Sequence, residues 1–408
     1  MHKREPLAAY GSLWFAYFAT IGVFNPYAPL WFKSLGLSIP LIGAIASLQS
    51  WTRVLAPYGW SWLADHSGQR VRLIQWAAGG ACLFALALAA SPLLQRWLPA
   101  GLIPWLLPLW VGLLFMANGG LVPLAEAALA QLLARSAQQG GGIDAARYGR
   151  VRVWGSLGFV ASVVAAGPLL QALGIGAFAL LVALSNAALL AVALRLPVGD
   201  APPAHDEPPP PIAPRLAPPV VRWFFASVFF TVLAHVALYA FFSLYLDALG
   251  HGKSAVGGLW AVAVLCEMAF FYTQGRWLGR MGPLRWLALA AGASVLRFAL
   301  TAAGGASLAL LVACQALHAI SFAAHHAACI QLVTRWFPGR LRGRGQALYS
   351  ALGYGLSGVL GGLGGGWLFE RLGPAAVFWA AAASAALSLA CVLRMARLGL
   401  ASGDLPPR

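Results

Sequence analysis

Apolar residues fill runs of 18 or more positions along nearly the whole chain, broken only by short clusters of Gly, Pro and basic residues. A run of about 20 residues at ~1.5 Å rise crosses the ~30 Å hydrocarbon core of a bilayer, so each run predicts a membrane-spanning helix. The first set falls near residues 8 to 32, 41 to 64, 72 to 91, 103 to 134, 148 to 171 and 175 to 195. The second falls near 221 to 246, 255 to 277, 285 to 303, 307 to 335, 346 to 368 and 375 to 395. Ten-residue alternating segments, the mark of a membrane barrel, are not the pattern. Between the sets lies PVGDAPPAHDEPPPPIAPRLAPP, residues 197–219, in which ten of 23 positions are Pro. Such a segment cannot bury itself or pack as a helix and reads as a cytoplasmic linker. The expected fold is therefore an all-α membrane protein with twelve transmembrane helices in two pseudo-symmetric six-helix bundles, residues 1–196 and 220–408.

Composition sharpens this picture. The 408 residues are 60% hydrophobic and 9% charged, with mean hydropathy +0.76, against about a quarter charged in soluble domains. A formal charge of +16 raises nucleic acid as a partner, but the basic residues alternate with the spans instead of forming one patch, and they report topology. With the N-terminus in the cytoplasm, the opposite side holds only Lys33, Arg96, Lys253 and Arg371, spans hold Arg53 and Arg297, and the other 21 of the 27 Lys and Arg are cytoplasmic. Both termini are then cytoplasmic. His2, Lys3 and Arg4 precede a first span too long for a signal-peptide core, so it is expected to be retained. The five cysteines lie in apolar stretches without paired spacing, and neither a disulfide framework nor a metal site is expected.

The halves repeat. A shift of 214 places Leu35-Gly36 on Leu249-Gly250, Gly43 on Gly257, Tyr58 on Tyr272 and Gly68 on Gly282. The loop Ser61-x-x-x-Asp65-His66-x-Gly68-x-Arg70 recurs as Gly275-x-x-x-Gly279-Arg280-x-Gly282-x-x-Arg285. Under the same shift Arg53 falls on Glu267, so opposite charges occupy equivalent depths.

A charge at mid-membrane costs roughly 2.5–3.5 kcal/mol on insertion scales and generally faces a bundle interior or a watery path. The candidates are Arg53, Glu126, Arg152, Glu267 and Arg297. Glu267, about twelve residues into its span, is too short to snorkel and must be paired or neutral. It is either a proton carrier or half of a static salt bridge with Arg297. Glu126 has Arg152 as its expected partner, for substrate or as a structural tie. Arg53, one turn after Gln49 on the same helical face, is either a carboxylate clamp or the partner of an acid across the bundle. Arg152 sits beside Arg147 and Arg150, which look like ordinary loop residues.

In span ten, Gln315, His318, Phe322 and His325 are spaced by three, four and three residues, which is one face of a regular helix. A polar stripe on an apolar helix implies a lined cavity, where imidazoles either relay protons or bond a neighbouring helix. His326 points about 100° away on that geometry. His235 and Tyr239 share a face of span seven. Trp14, Phe18, Tyr27, Phe159 and Trp260 are candidates for stacking on a ring or for plain packing. The Gly-rich span eleven, GYGLSGVLGGLGGGW, permits close helix approach or bending.

The segments PYAPLWFKSLGLSIPLIG, APYGWSWLADHSGQR, YGRVRVWGSLGF, GGLWAVAVLCEMAFF and QALHAISFAAHHAA carry a resemblance over nearly the whole chain. The sequence resembles the major facilitator superfamily, within it the 3-phenylpropionate transporter group and, more remotely, lactose permease. The resemblance implies the major facilitator fold in a bacterial inner membrane, with Asp65, Gly68 and Arg70 in the loop motif that couples helix ends during switching. Ser61 stands where that motif has Gly, and His66 where it has Arg or Lys. It implies a substrate pair Glu126 and Arg152, with Phe159 where the permease has a sugar-stacking Trp, and proton-coupling or substrate groups Glu267, Arg297 and His318. Ser321 replaces a permease Glu, so the proton carrier must lie elsewhere, with Glu267 the first choice and His325 a further candidate.

The expected function is proton-coupled symport of a small organic, aromatic carboxylate by alternating access. Arg53, Gln49, Arg152, Glu126, Phe159, His235, Tyr239 and Gln315 are its candidate contacts. A sugar or nucleoside symporter and a proton-linked drug exporter are alternatives, as is a polytopic enzyme using His325 and Glu267 as acid and base. Expected partners are the small-molecule substrate, protons and the lipid bilayer, with no nucleic acid, no cofactor beyond the proton gradient, and a monomeric state.

Overall fold

A computed structural model describes residues 6–94, 97, 99, 102–138, 145–197 and 211–402, and among these every regular element is a helix. The Pro-rich segment expected to be a linker falls largely at 198–210, outside the described residues. The first half contains α1 (Pro6–Ser34), α2 (Ile39–Ser67), α3 (Arg70–Leu94), α4 (Ile103–Asn118), α5 (Leu121–Gln138), α6 (Ala145–Leu173) and α7 (Phe178–Ala193). The second contains the short α8 (Ala213–Leu216), then α9 (Pro219–Val236), α10 (Phe242–Ala248), α11 (Lys253–Thr273), α12 (Pro283–Gly304), α13 (Leu308–Ala316), α14 (His325–Trp336), α15 (Arg342–Tyr349), α16 (Ser357–Leu372) and α17 (Pro374–Ser402). Pro at the first position of α9, α12 and α17 fits the one turn whose N–H groups have no helical acceptor.

Ten helical stretches are long and apolar enough to cross a membrane. The two expected spans not among them, near 41–64 and 346–368, are helical but diluted, the first by Gln49, Arg53, Asp65 and His66, the second by glycines. Span four divides into α4 and α5 at Gly119-Gly120, where an added Cβ on Gly120 would run into the Trp60 ring. Spans seven, ten and eleven each contain a wider π turn, at Ala237–Phe241, Ala319–Ala324 and Ser350–Leu356.

The described helices form two compact units, Met1–Leu37 with Thr52–Asp206, and Ser38–Trp51 with Glu207–Arg408. The expected first bundle included all of 41–64, whereas its leading half groups with the second unit. The cause is a stripe of small residues. Gly43 sits so close to Gly362 that a Cβ would overlap the carbonyl oxygen, Gly358 meets Ser50, and Ser47 Oγ donates to the Val359 carbonyl at 3.1 Å. In the first unit, Tyr27 donates to the Val163 carbonyl at 2.8 Å, tying α1 to α6. In the second, Thr231 and Ser388 hydroxyls meet at 2.7 Å and Ser388 donates to the Ser227 carbonyl at 2.9 Å, tying α9 to α17.

The internal repeat is visible in the backbone. Gly36 and Gly250 end their helices with φ of 81° and 82°, the left-handed conformation that glycine adopts without steric cost. Each donates three residues back, to Lys33 and Asp247, and the next residue donates five back, to Phe32 and Leu246, the same helix stop in both halves. The later loops diverge, because Gly68 has φ 68° while Gly282 is extended at φ −67°.

Candidate functional site

Each unit gathers its own cluster of intramembrane polar groups. In the first, α5 and α6 bring Glu126 and Arg152 together, with Nε to Oε1 at 3.7 Å. Tyr148, on the turn of α6 preceding Arg152, donates to the same Oε1 at 3.3 Å. The Arg152 guanidinium lies 4.2 Å from the Trp14 ring centroid and 5.3 Å from that of Phe18, a cation held over aromatic faces on α1. These two rings therefore orient an arginine. Tyr17 is within electrostatic reach of both Arg152 and Arg53. Arg53 is exposed, and among the described residues no carboxylate pairs with it. Gln49, one turn earlier, falls in the other unit. Phe159 of α6 is buried at 8% exposure, with its backbone against Gly22.

In the second unit, Arg297 of α12 is 1% exposed. Its Nη2 donates to Gln315 Oε1 at 2.8 Å, and its Nη1 to His318 Nδ1 at 2.8 Å and to Ser321 Oγ at 3.2 Å. Guanidinium can only donate, so Nδ1 of His318 accepts and the neutral ring carries its hydrogen on Nε2. That nitrogen faces Glu267 Oε2 of α11 at 3.6 Å. The direct Glu267–Arg297 bridge expected as one alternative is thus replaced by a chain in which His318 stands between them. Ser321 turns toward the arginine, occupying with a hydroxyl the place the resemblance gives to an acid.

The π turn at Ala319–Ala324 adds a residue to the turn and rotates everything after it. His325 leaves the expected face and packs, 3% exposed, with a ring nitrogen 3.5 Å from Cys329 Sγ. His326 takes its place. The rings of His318, Phe322 and His326 stack in series, at 4.9 and 6.2 Å with interplanar angles of 5° and 14°. The 3.6 period has no means of seeing the extra residue and so hides His326, whereas Tyr148, one regular turn before Arg152, carries no charge to single it out. His235 and Tyr239 do share a face, with ring centroids 6.3 Å apart. His235 uses Nδ1 on the Thr231 carbonyl at 2.8 Å, and its Nε2 is buried without a hydrogen-bond partner. A cavity of about 550 Å³ in the first unit, lined by Gly11, Ser12, Phe15, Trp154 and Ser185 among others, has no ionisable side chain among its lining residues and shares none of them with either cluster.

Comparison with known proteins decides what this architecture is. The family model described as "MFS_1 like family" matches residues 7–380. This chain belongs to that family. It is a membrane transporter of the major facilitator type, and its relatives are transporters. It is 29% identical over 371 residues to the "Probable 3-phenylpropionic acid transporter" of Escherichia coli (strain K12), covering 90% of this chain and 92% of that one. It is 30% identical over 369 residues to "Maltose permease" of Geobacillus stearothermophilus, covering 90% and 88%. In fold it is similar to a mutant of the nucleoside transporter NupG, with TM-score 0.80 and 17% identity over 97% of this chain and 100% of that one. Within this major facilitator chain Asp65, Gly68 and Arg70, which the resemblance assigns to the loop motif, lie where α2 meets α3. Arg70 donates to Asp65 Oδ1 at 3.3 Å, and Gly68 between them supplies the left-handed turn.

Proposed function

We propose that the chain is a proton-coupled symporter of a small aromatic carboxylate, working by alternating access. The observation that carries the reading is the chain Arg297–His318–Glu267, where a carboxyl that can gain or lose a proton is held 3.6 Å from an imidazole fixed in one tautomer by a permanent donor. Proton uptake by Glu267 removes the one negative charge of that cluster. In the other unit, Glu126 answers Arg152 and leaves Arg53 as a spare cation, which favours an anionic substrate. A monoanion entering with one proton moves no net charge, so transport follows the pH gradient and not the membrane potential.

The relative named as a 3-phenylpropionic acid transporter supports the aromatic acid, and Arg53 and Arg152 are the groups assigned to its carboxylate. We place the protein in a bacterial inner membrane with twelve crossings and cytoplasmic termini, supported by the 21 basic residues of that side. It needs no cofactor beyond the gradient and works as a monomer. A sugar is the second reading, favoured by the maltose permease likeness, while Phe159 in place of a stacking Trp weighs against a galactoside.

The test is uptake by the purified chain in proteoliposomes under an inward proton gradient, corrected with protein-free vesicles for passive permeation of the acid. 3-Phenylpropionate is expected to accumulate, whereas its amide and maltose are not. Accumulation of maltose alone would replace the carboxylate with a sugar, and equilibration of either probe with no gradient-driven accumulation would remove the proton.

A further inference from the structure

We propose that the substrate carries a hydrogen-bond-donating hydroxyl on its ring, and that Nε2 of His235 is the acceptor that recognises it. The inference rests on the aromatic-acid reading and names the members of that class the site prefers. His235, on α9, is 1% exposed. Its Nδ1 lies 2.8 Å from the carbonyl oxygen of Thr231, one turn earlier on the same helix. A carbonyl only accepts, so the neutral ring carries its hydrogen on Nδ1 and Nε2 is a bare lone pair. Because Nδ1 is engaged by the backbone of its own helix, Nε2, on the far side of the ring, points away from α9 toward its neighbours. Among the described residues, no group donates to it.

The polar groups around His235 are engaged with one another. The His318 ring centroid is 5.9 Å away, but its Nδ1 accepts from Arg297 and its Nε2 faces Glu267. Arg297 donates to Gln315, His318 and Ser321, and the Thr231 hydroxyl meets that of Ser388. With a guanidinium bound to the adjacent imidazole, the uncharged form of His235 avoids a second cation in the cluster. The rest of its surroundings are aromatic. Phe298 stands edge-on at 5.3 Å between ring centroids, Phe322 lies at 5.9 Å and Tyr239 at 6.3 Å. A buried acceptor left unmade costs free energy that a donor brought by the ligand recovers. One lone pair among aromatic faces suits a polar hydrogen borne on a flat apolar body, which is a phenol. A carboxylate only accepts and cannot fill this place, so His235 reads the hydroxyl and not the charge of the substrate.

The experiment measures binding to the purified full chain in detergent by competition and thermal shift. The probes are 3-phenylpropionate, its meta- and para-hydroxy derivatives, and their methyl ethers, which keep the oxygen and lose the hydrogen. One hydroxylated acid is expected to bind about fivefold tighter than 3-phenylpropionate, the scale of one net hydrogen bond, and its ether no tighter. In His235→Leu the ratio of the two affinities should fall to about one, while His235→Gln, which restores an acceptor oxygen, should keep most of it. A purely structural His235 would weaken all probes alike and leave the ratio unchanged, which overturns the assignment. So does equal wild-type affinity for phenol and parent, the result expected if water alone meets Nε2, and so does an ether that binds as tightly as the phenol. Should the variants fail to fold, 15N-histidine spectra of the wild-type chain decide. A signal from an imidazole with a bare Nε2 is expected to move on adding the phenol and to stay on adding its ether; if none does so, the assignment is wrong. If maltose binds and none of the acids does, the aromatic-acid reading fails, and the acceptor role stands only if maltose moves that signal. Binding of none of the probes overturns both.

Discussion

Replacing Arg297 by Lys keeps the charge and discards the fork, which separates the two things the arginine does. The guanidinium satisfies Gln315 Oε1 and His318 Nδ1 simultaneously at 2.8 Å and reaches Ser321 at 3.2 Å, all from a site 1% exposed. An ammonium on a straight stem is a point donor and cannot place two hydrogens along the planar directions these acceptors fix. At least one buried acceptor is then left unpaired, at a cost of about 1–3 kcal/mol. At ~1.4 kcal/mol per tenfold, that is a fall of roughly 5- to 150-fold in the population of the assembled site. If His318 is the acceptor released, its tautomer is no longer fixed and Glu267 loses the donor it faces. The assay is counterflow exchange of 3-phenylpropionate together with thermal unfolding in detergent. A fall in exchange within that range and a lower midpoint are expected. Wild-type exchange with an unchanged midpoint would show that only the charge matters and would refute the fork argument.

Arg53→Gln should weaken binding of 3-phenylpropionate at least about tenfold, the scale of one charge-assisted hydrogen bond, while barely changing binding of its amide. Equal losses in a competition assay would make Arg53 structural. Gly43→Val should lower the thermal midpoint and slow transport, since the side chain meets the Gly362 backbone and overpacking costs about 1–3 kcal/mol. An unchanged midpoint would remove the close approach. Asp65→Asn breaks an exposed pair with Arg70, so equilibrium stability should shift by no more than about 1 kcal/mol. A larger shift, read from chemical unfolding, would mean that the loop carries more than this contact.

Much of the site was legible because a charge in an apolar run has few reasons to be there. Glu126 with Arg152 was expected from depth and from the resemblance, and Gln315 with His318 from spacing; the structure brings the first pair together and sets Arg297, expected against Glu267, on Gln315 and His318. What escaped depended on departures from the regular helix. One added residue in the π turn exchanged His325 for His326, and no periodicity argument that assumes 3.6 residues per turn anticipates it. Trp14 and Phe18 were candidates for stacking on a ring or for plain packing, and what lies over their faces is the Arg152 guanidinium. The grouping of 38–51 with the second unit had a visible signal, in Gly43-x-x-x-Ser47 facing Gly358-x-x-x-Gly362, whose small side chains permit the approach without naming the partner.

The most direct measurement is the steady-state accumulation ratio of 3-phenylpropionate in proteoliposomes bearing Glu267→Gln, under an inward gradient of about one pH unit. With one proton per substrate the wild-type chain should reach about tenfold, equivalent to ~1.36 kcal/mol, well before protein-free vesicles, into which the undissociated acid leaks slowly toward the same ratio. The variant, with no proton to exchange at that position, should equilibrate the probe to a ratio near one while still catalysing exchange. A tenfold ratio retained by Glu267→Gln would contradict the account at its centre.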